Sequence, residues 1–302
     1  MLARVASLTF ATLVLAGVSA RAQDTASSPA SEIAKPASPA SEDPPPAVEL
    51  VGEREVSLPQ APARTNQKSA LSGVVMGRVL WGEPVPEANP LSRNAEPYCA
   101  LLGTELDGSL SVSSGGLANA LVRLRSARAP ATLGGALSTT VDNPLIHLAL
   151  SSCAFAPRVV ALVPGQHLVV ESTDPLLHAL RLTRERGVVY RRTLQHDEPA
   201  PELKFSAPGI YRVGCDVHPW EVAWIVVSPP EDAPHFSVTD AQGHFRVEGL
   251  PPGLYTVDAW HERASIRGPS IRLRAGQLQR VALHAVPTTA LAHDDSRSRL
   301  SP

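Results

Sequence analysis

Residues 209–227 read Gly-Ile-Tyr-Arg-Val-Gly-Cys-Asp-Val-His-Pro-Trp-Glu-Val-Ala-Trp-Ile-Val-Val. Two apolar, β-branched runs, Ile210–Cys215 and Glu221–Val227, flank a short break that holds Asp216 and Pro219. Such runs bounded by turn residues read as strands. Cys215 and His218 stand three apart at the end of the first strand, where both can face one metal ion. Thiolate sulfur beside imidazole nitrogen suits copper or zinc. Two ligands do not complete a site, and His178 supplies a third. It closes the turn Ser172-Thr173-Asp174-Pro175-Leu176-Leu177, which follows the apolar run His167–Glu171.

The same punctuation extends outward in both directions. Candidate strands are Val74–Leu80, Ala120–Leu124, Leu145–Leu150, Arg158–Leu162, His167–Glu171 and Gly187–Thr193, besides the two that frame the motif. A second set follows Ser228-Pro229-Pro230: Phe236–Thr239, His244–Val247 and Leu254–Trp260, then alternating Ile271/Leu273 and Val281/Leu283. Short strands at regular spacing predict an all-β protein built of sandwiches. The 29 prolines and 20 glycines are too many for a mostly helical chain.

The 302 residues allow about two domains. A net charge of −2 argues against a nucleic-acid partner. Residues 1–22 read as a signal peptide, with Arg4, an apolar run Val5–Val18, and Ala20-Arg21-Ala22 as the cleavage pattern. The expected location is therefore periplasmic, extracellular or envelope-associated, where disulfides persist. No later apolar run is long enough to span a bilayer. Residues 23–70, rich in Pro, Ala, Ser and Glu and without an aromatic, read as a disordered linker. Residues 287–302 read as a disordered tail. The division expected between them is 71–230 for the first domain and 231–286 for the second. No nucleophile elbow, phosphate loop or dinucleotide-binding glycine pattern is present, so no enzyme is expected.

The stretches CAFAPRVVALVPGQHLVVESTDPLLHAL and GIYRVGCDVHPWEVAWIVV together resemble the cupredoxins, the plastocyanin and amicyanin family, and in particular exported methylamine-utilisation-like proteins. GGLANALVRL at 115–124 is similar to the N-terminal part of those proteins. The resemblance implies a Greek-key β-sandwich holding one type 1-like copper ion on His178, Cys215 and His218. It also implies outer-sphere electron transfer to a redox partner through a partly exposed His218, with Pro219 and Trp220 as site cover or docking patch. Two positions depart from the family pattern. Glu221 stands where the axial Met is expected, and Ala179 replaces the Asn that braces the ligand loop. Glu221 is either a fourth ligand, favouring Cu(II) and a lower potential, or a surface carboxylate. A Cys, two His and Glu also satisfy zinc. Cys99 and Cys153 lie outside the motif and are the natural disulfide pair. His147, His167, His196, His235, His244 and His261 are expected to pack or meet solvent rather than bind metal. Trp224 is expected to pack in the core.

FSVTDAQGHFRVEGLPPGLYTVDAWHE, at the start of the second set, resembles the carboxypeptidase-regulatory-like domain, a small transthyretin-like sandwich. The resemblance covers no peptidase and implies a structural role. Two other functions therefore stay open beside copper electron transfer. One is a metal-free tandem sandwich with a structural, interaction or carbohydrate-binding role at the envelope. The other is sequestration of copper or zinc by the same ligands without redox cycling.

Overall fold

Alternating apolar and polar residues put every second side chain of a strand on the same face, and that period organises this molecule. The computed structural model describes residues 47–54, 72–126, 145–196, 198–229 and 235–288. In chain order the elements begin with β1 (Val48–Arg54), β2 (Gly73–Trp81), the short helix α1 (Pro97–Leu101), β3 (Val112–Ser113), β4 (Gly116–Leu117) and β5 (Leu121–Ser126). Next come β6 (Ile146–Ser151), β7 (Ala154–Ala156), β8 (Val159–Leu162), β9 (His167–Ser172) and β10 (His178–Arg184). They are followed by β11 (Gly187–Leu194), β12 (Ala200–Phe205), β13 (Gly209–Cys215) and β14 (Val222–Val227). The last are β15 (Phe236–Val238), β16 (His244–Leu250), β17 (Gly253–His261), β18 (Ala264–Leu273) and β19 (Leu278–Pro287). The protein is all-β, as expected.

Two five-stranded sheets, β1-β12-β9-β6-β7 and β11-β10-β13-β14-β8, form the first sandwich. Leu148, Leu168 and Phe205 from one sheet meet Leu182, Tyr211 and Ile225 from the other in one buried core. The pairs β6–β9 and β8–β14 are parallel, so the chain crosses between sheets rather than meandering. A third sheet runs β15-β5-β17-β18-β19-β2-β4-β3, with β16 also paired to β2. Its own core includes Val75, Leu124, Phe245, Tyr255 and Leu283.

This pairing corrects the expected domain division. β2, β4 and β5, from the stretch assigned to the first domain, belong to the second sandwich. β19 runs parallel to β2 from Leu278 opposite Val74 to Ala285 opposite Trp81. The GGLANALVRL stretch likewise lies in β4 and β5, away from the ligand motif. The first sandwich is thus largely an insertion between β5 and β15. Parallel pairing between strands far apart in the chain leaves no local signal, which is why the reading missed it. A second correction concerns the linker. Val48–Arg54 is an edge strand on β12, with Val48 buried. β10 and β12 were also not anticipated, because Arg181, Glu202 and Lys204 break their apolar runs. Residues 1–22, most of 23–70, and 289–302 lie outside the described residues. Among the described residues, no helix is long and apolar enough to cross a membrane.

Both sandwiches use the same corner. Tyr211 donates its hydroxyl to the Ala207 carbonyl at 2.7 Å, and Tyr255 to Pro251 at 2.7 Å. In each case Pro-Gly-X-Tyr opens the strand, and the bond ties the tyrosine to the turn four residues earlier. The Asp240-Ala241-Gln242-Gly243 turn closes on itself, with Asp240 accepting from the Gln242 and His244 amides. Gly243 has φ 79°, and a Cβ there would sit 2.6 Å from the Val79 carbonyl oxygen, so only glycine fits.

The two sandwiches meet along β8 and β14. Trp224 packs edge-to-face on Trp260 at 5.5 Å, so it lies at this junction rather than in either core. Arg158 pairs with Glu262 through two bonds of 2.5 and 3.0 Å.

Candidate metal centre

Three inward-facing rows of the first sandwich end at the same place. On β10 the row is His178, Leu180, Leu182. On β13 it is Tyr211, Val213, Cys215. Ahead of and along β14 it is Glu221, Ala223, Ile225, Val227. Every one of these residues is buried. Leu180 sits opposite Cys215, and Val213 opposite Ala223, which brings the row ends together. His218 turns back from the short loop, and the Glu221 amide donates to its carbonyl at 3.0 Å. The period-two rule applied backward from Val227 points Glu221 inward. That signal was present in the sequence, and the structure decides against a surface carboxylate: Glu221 is 1% exposed.

His178, Cys215, His218 and Glu221 offer one ligand atom each within 4.8 Å of one another. The two Nδ1 atoms are 3.2 Å apart. Glu221 Oε2 is 3.0 Å from His178 Nδ1, and Oε1 is 3.2 Å from His218 Nδ1. Cys215 Sγ is 3.7 Å from His218 Nδ1. Donor atoms ~2.0–2.3 Å from a shared tetrahedral ion lie ~3.3–3.7 Å from one another, close to this spacing. Glu221 Oε1 is buried without an aligned hydrogen-bond partner, an arrangement that costs free energy unless something else meets the oxygen. The donor set and its geometry therefore fit a bound metal ion.

The sulfur accepts two backbone hydrogen bonds, from the Ala179 amide at 3.3 Å and the His218 amide at 3.4 Å. The bracing attributed to a missing Asn side chain is thus supplied in part by backbone, which Ala179 has like any residue. Burial pulls the His178 imidazole down, but hydrogen bonding to Cys215 and Glu221 outweighs it and raises His178 to about 9. Without a metal, His178 holds a proton at neutral pH. Close by, Asp216 bridges Arg181 at 2.8 Å and Arg191 at 3.5 Å, which places cationic surface one residue from the cysteine.

Around the four donors lie residues the sequence reading passed over. Asp174 is 1% exposed, and its Oδ2 lies 3.9 Å from His178 Nε2. Glu96, ahead of α1, has Oε2 3.8 Å from His218 Nε2. Neither was legible locally, since each reaches the site from another segment. His218 was expected to be partly exposed. It is 2% exposed, because the segment around Glu96 covers it on one side and Trp220 lies against its ring at 5.2 Å. Trp220 is half-buried beside His218, while Pro219 is exposed.

Cys99 and Cys153 form a disulfide, leaving Cys215 as the free thiol. Among the described residues, the other histidines stay out of the cluster. His147 faces Glu171 at 3.6 Å, His167 pairs with Glu202 at 2.7 Å, and His244 pairs with Asp240 at 3.3 Å. His261 is buried at the sandwich junction. Burial, then Arg158, lowers it to about 4.

No protein-family model matches the chain, and no curated protein matches it. Amicyanin from Paracoccus versutus (Thiobacillus versutus) aligns over 88% of its own length and 30% of this chain, at 14% identity and a TM-score of 0.26. A reduced amicyanin point mutant aligns over 99% of its length and 35% of this chain, at 13% identity and a TM-score of 0.26.

Proposed function

We propose that this chain is an exported mononuclear copper protein that transfers single electrons. In this reading its first sandwich is a cupredoxin, with Glu221 in place of the axial Met. The observation that carries it is the buried convergence of His178 Nδ1, His218 Nδ1, Cys215 Sγ and a Glu221 carboxylate oxygen on one point. A thiolate with two imidazoles is the donor set of one-electron copper sites. Bound copper would supply the Cu(I)/Cu(II) couple. The residues do the rest. Glu221 is a hard, anionic donor, so it favours Cu(II) and lowers the reduction potential. The strand ends hold the donors in a rigid core, which keeps reorganisation small. Trp220 and the segment around Glu96 exclude water. The strands of 235–286, with β2 and β5, are read as the transthyretin-like partner, and residues 1–22 as the export signal.

A visible spectrum of the mature protein after Cu(II) addition and desalting tests the centre. An intense thiolate-to-copper band, absent in Cys215→Ser, is the expected result. A colourless protein that retains no copper overturns the proposal.

The burial of His218 favours a second reading, in which the same four ligands hold copper or zinc without redox cycling. Cyclic voltammetry separates the two. A reversible wave supports electron transfer, and loss of metal on reduction supports a holding site.

A further inference from the structure

The metal centre is built in the first sandwich, yet one of its walls comes from the second. Between β2 and β3 the chain leaves the second sandwich, forms α1 and returns. On this excursion Glu96 points at the far side of His218, at 3.8 Å from Nε2. Its other oxygen, Oε1, accepts from the Tyr98 amide at 3.3 Å, so the carboxylate is anchored to the start of α1. Cys99, in the same helix, is bonded to Cys153.

Cys153 lies in the two-residue turn between β6 and β7. Ser152 and Cys153 both have positive φ, 53° and 61°, an unfavourable choice for residues other than glycine. Asp174 offsets this by accepting both amides, at 2.6 and 2.8 Å. The same carboxylate accepts from the Tyr98 hydroxyl at 3.5 Å and stands 3.9 Å from His178 Nε2. Arg93, 3% exposed, donates to the Ser152 carbonyl at 3.4 Å and the Gly103 carbonyl at 2.9 Å. The excursion, the disulfide turn and the loop before His178 are therefore one connected unit. A carboxylate stands behind each ligand imidazole on the side away from the donors.

We propose that the α1 excursion is a disulfide-stapled cap of the metal centre, in which Glu96 is a positioning residue for His218. The inference rests on the metal-binding reading above. Its anionic oxygen orients the imidazole with Nδ1 toward the other donors and raises its basicity as a ligand. Carboxylates in this outer position change metal affinity by ~10–100-fold when removed. The staple keeps Glu96 in place, so the second sandwich acts as part of the binding site and not only as a spacer.

The test uses the full mature chain with its disulfide intact and Cu(II) as probe. Affinity is read by chelator competition, ligand field and charge transfer by the visible spectrum, and folding by the melting temperature of the metal-free protein. Glu96→Gln keeps the shape and the acceptor for the Tyr98 amide but removes the charge. It is expected to weaken Cu(II) binding by about tenfold or more and to shift the charge-transfer band, with the metal-free melting temperature unchanged. Glu87→Gln, an exposed carboxylate of the same excursion, is expected to change neither. The paired Cys99→Ser, Cys153→Ser protein is expected to surrender copper to chelator faster than wild type. If Glu96→Gln does destabilise the metal-free protein, Glu96→Asp decides. Its retained charge must keep affinity nearer to wild type than the glutamine variant does. A wild-type protein that binds Cu(II), with Glu96→Gln equal to it in affinity and spectrum, overturns the cap and leaves the metal reading standing. A wild-type protein that binds no Cu(II) overturns both.

Discussion

His178 at the strand ends of the first sandwich and His261 at the end of β17 are both buried, and they titrate in opposite directions. Burial disfavours the charged imidazole at each site. At His178 the neighbours are Cys215 and Glu221, and the result is about 9. At His261 the neighbours are Arg158 and Arg263, and the result is about 4. Burial alone therefore does not tell a ligand histidine from a packing one. The sign of the surrounding charge does. One site surrounds its imidazole with a sulfur and a carboxylate that favour the charged form, and the other keeps its imidazole neutral beside a cation.

The comparison can be broken most directly through Glu262, which neutralises the arginine next to His261. Glu262→Ala leaves the Arg158 guanidinium, 19% exposed, without its partner. Leaving a half-buried charged donor without its acceptor costs about 1–3 kcal/mol. The expected loss appears in chemical denaturation, together with a spectroscopic change at Trp224 or Trp260.

A pH series sharpens the contrast without touching the junction. His261 stays neutral in the native state between about 4 and the ordinary 6.5, whereas the unfolded chain takes a proton there. The unfolded state binds more protons in that window, so stability falls as pH falls from 6.5 to 4. His178 does the reverse in the metal-free protein. Between 6.5 and about 9 the native state holds a proton that the unfolded chain has lost, so stability falls as pH rises through that window. Each limb is on the order of 3 kcal/mol. Metal-free stability should peak near pH 6.5. His178→Asn should flatten the alkaline limb and leave the acid limb in place.

Metal binding tests the same proton directly. At pH 7 a bound ion must displace the proton from His178, since a ligand imidazole is neutral. Calorimetry in buffers of different ionisation enthalpy should show this release beside that of the Cys215 thiol, and His178→Asn should lower the total number of protons released. Affinity for Cu(II) should rise with pH up to about 9. His261 contributes nothing to this signal, because it is neutral throughout.

The smallest effect concerns what the two sandwiches share. Tyr211→Phe and Tyr255→Phe each remove one hydroxyl bond to a turn carbonyl, worth about 1 kcal/mol. Equal losses would show that the corners are equivalent. A larger loss at Tyr211, followed by weaker Cu(II) binding, would show that its corner also sets the end of the strand that carries Cys215.

How much of this was legible follows from where the signals lie along the chain. Cys215 and His218 share one local segment, and His178 ends a recognisable strand and turn, so residue type and spacing suffice for them. The disulfide was legible from an odd cysteine count with one thiol committed to the motif. Glu221 was half-legible. Its type suggested solvent, while its place in the row of Ala223, Ile225 and Val227 pointed inward. The arginines of β10 hid a strand whose inner row, His178, Leu180 and Leu182, is apolar apart from its ligand.

Neighbouring residues alone point to an all-β chain, the three candidate nitrogen and sulfur ligands, the cysteine pair and the tight turns. These are properties of neighbouring residues, set by side-chain chemistry and a two-residue period. Long-range folding places β2 and β5 in the second sandwich, buries Glu221 among the candidate ligands, and sets Glu96 and Asp174 behind the imidazoles. Those depend on parallel pairing and on contacts between residues far apart in the chain. Such contacts form because long-range burial outweighs the entropy of closing large loops, and that balance leaves no mark on any short stretch of sequence.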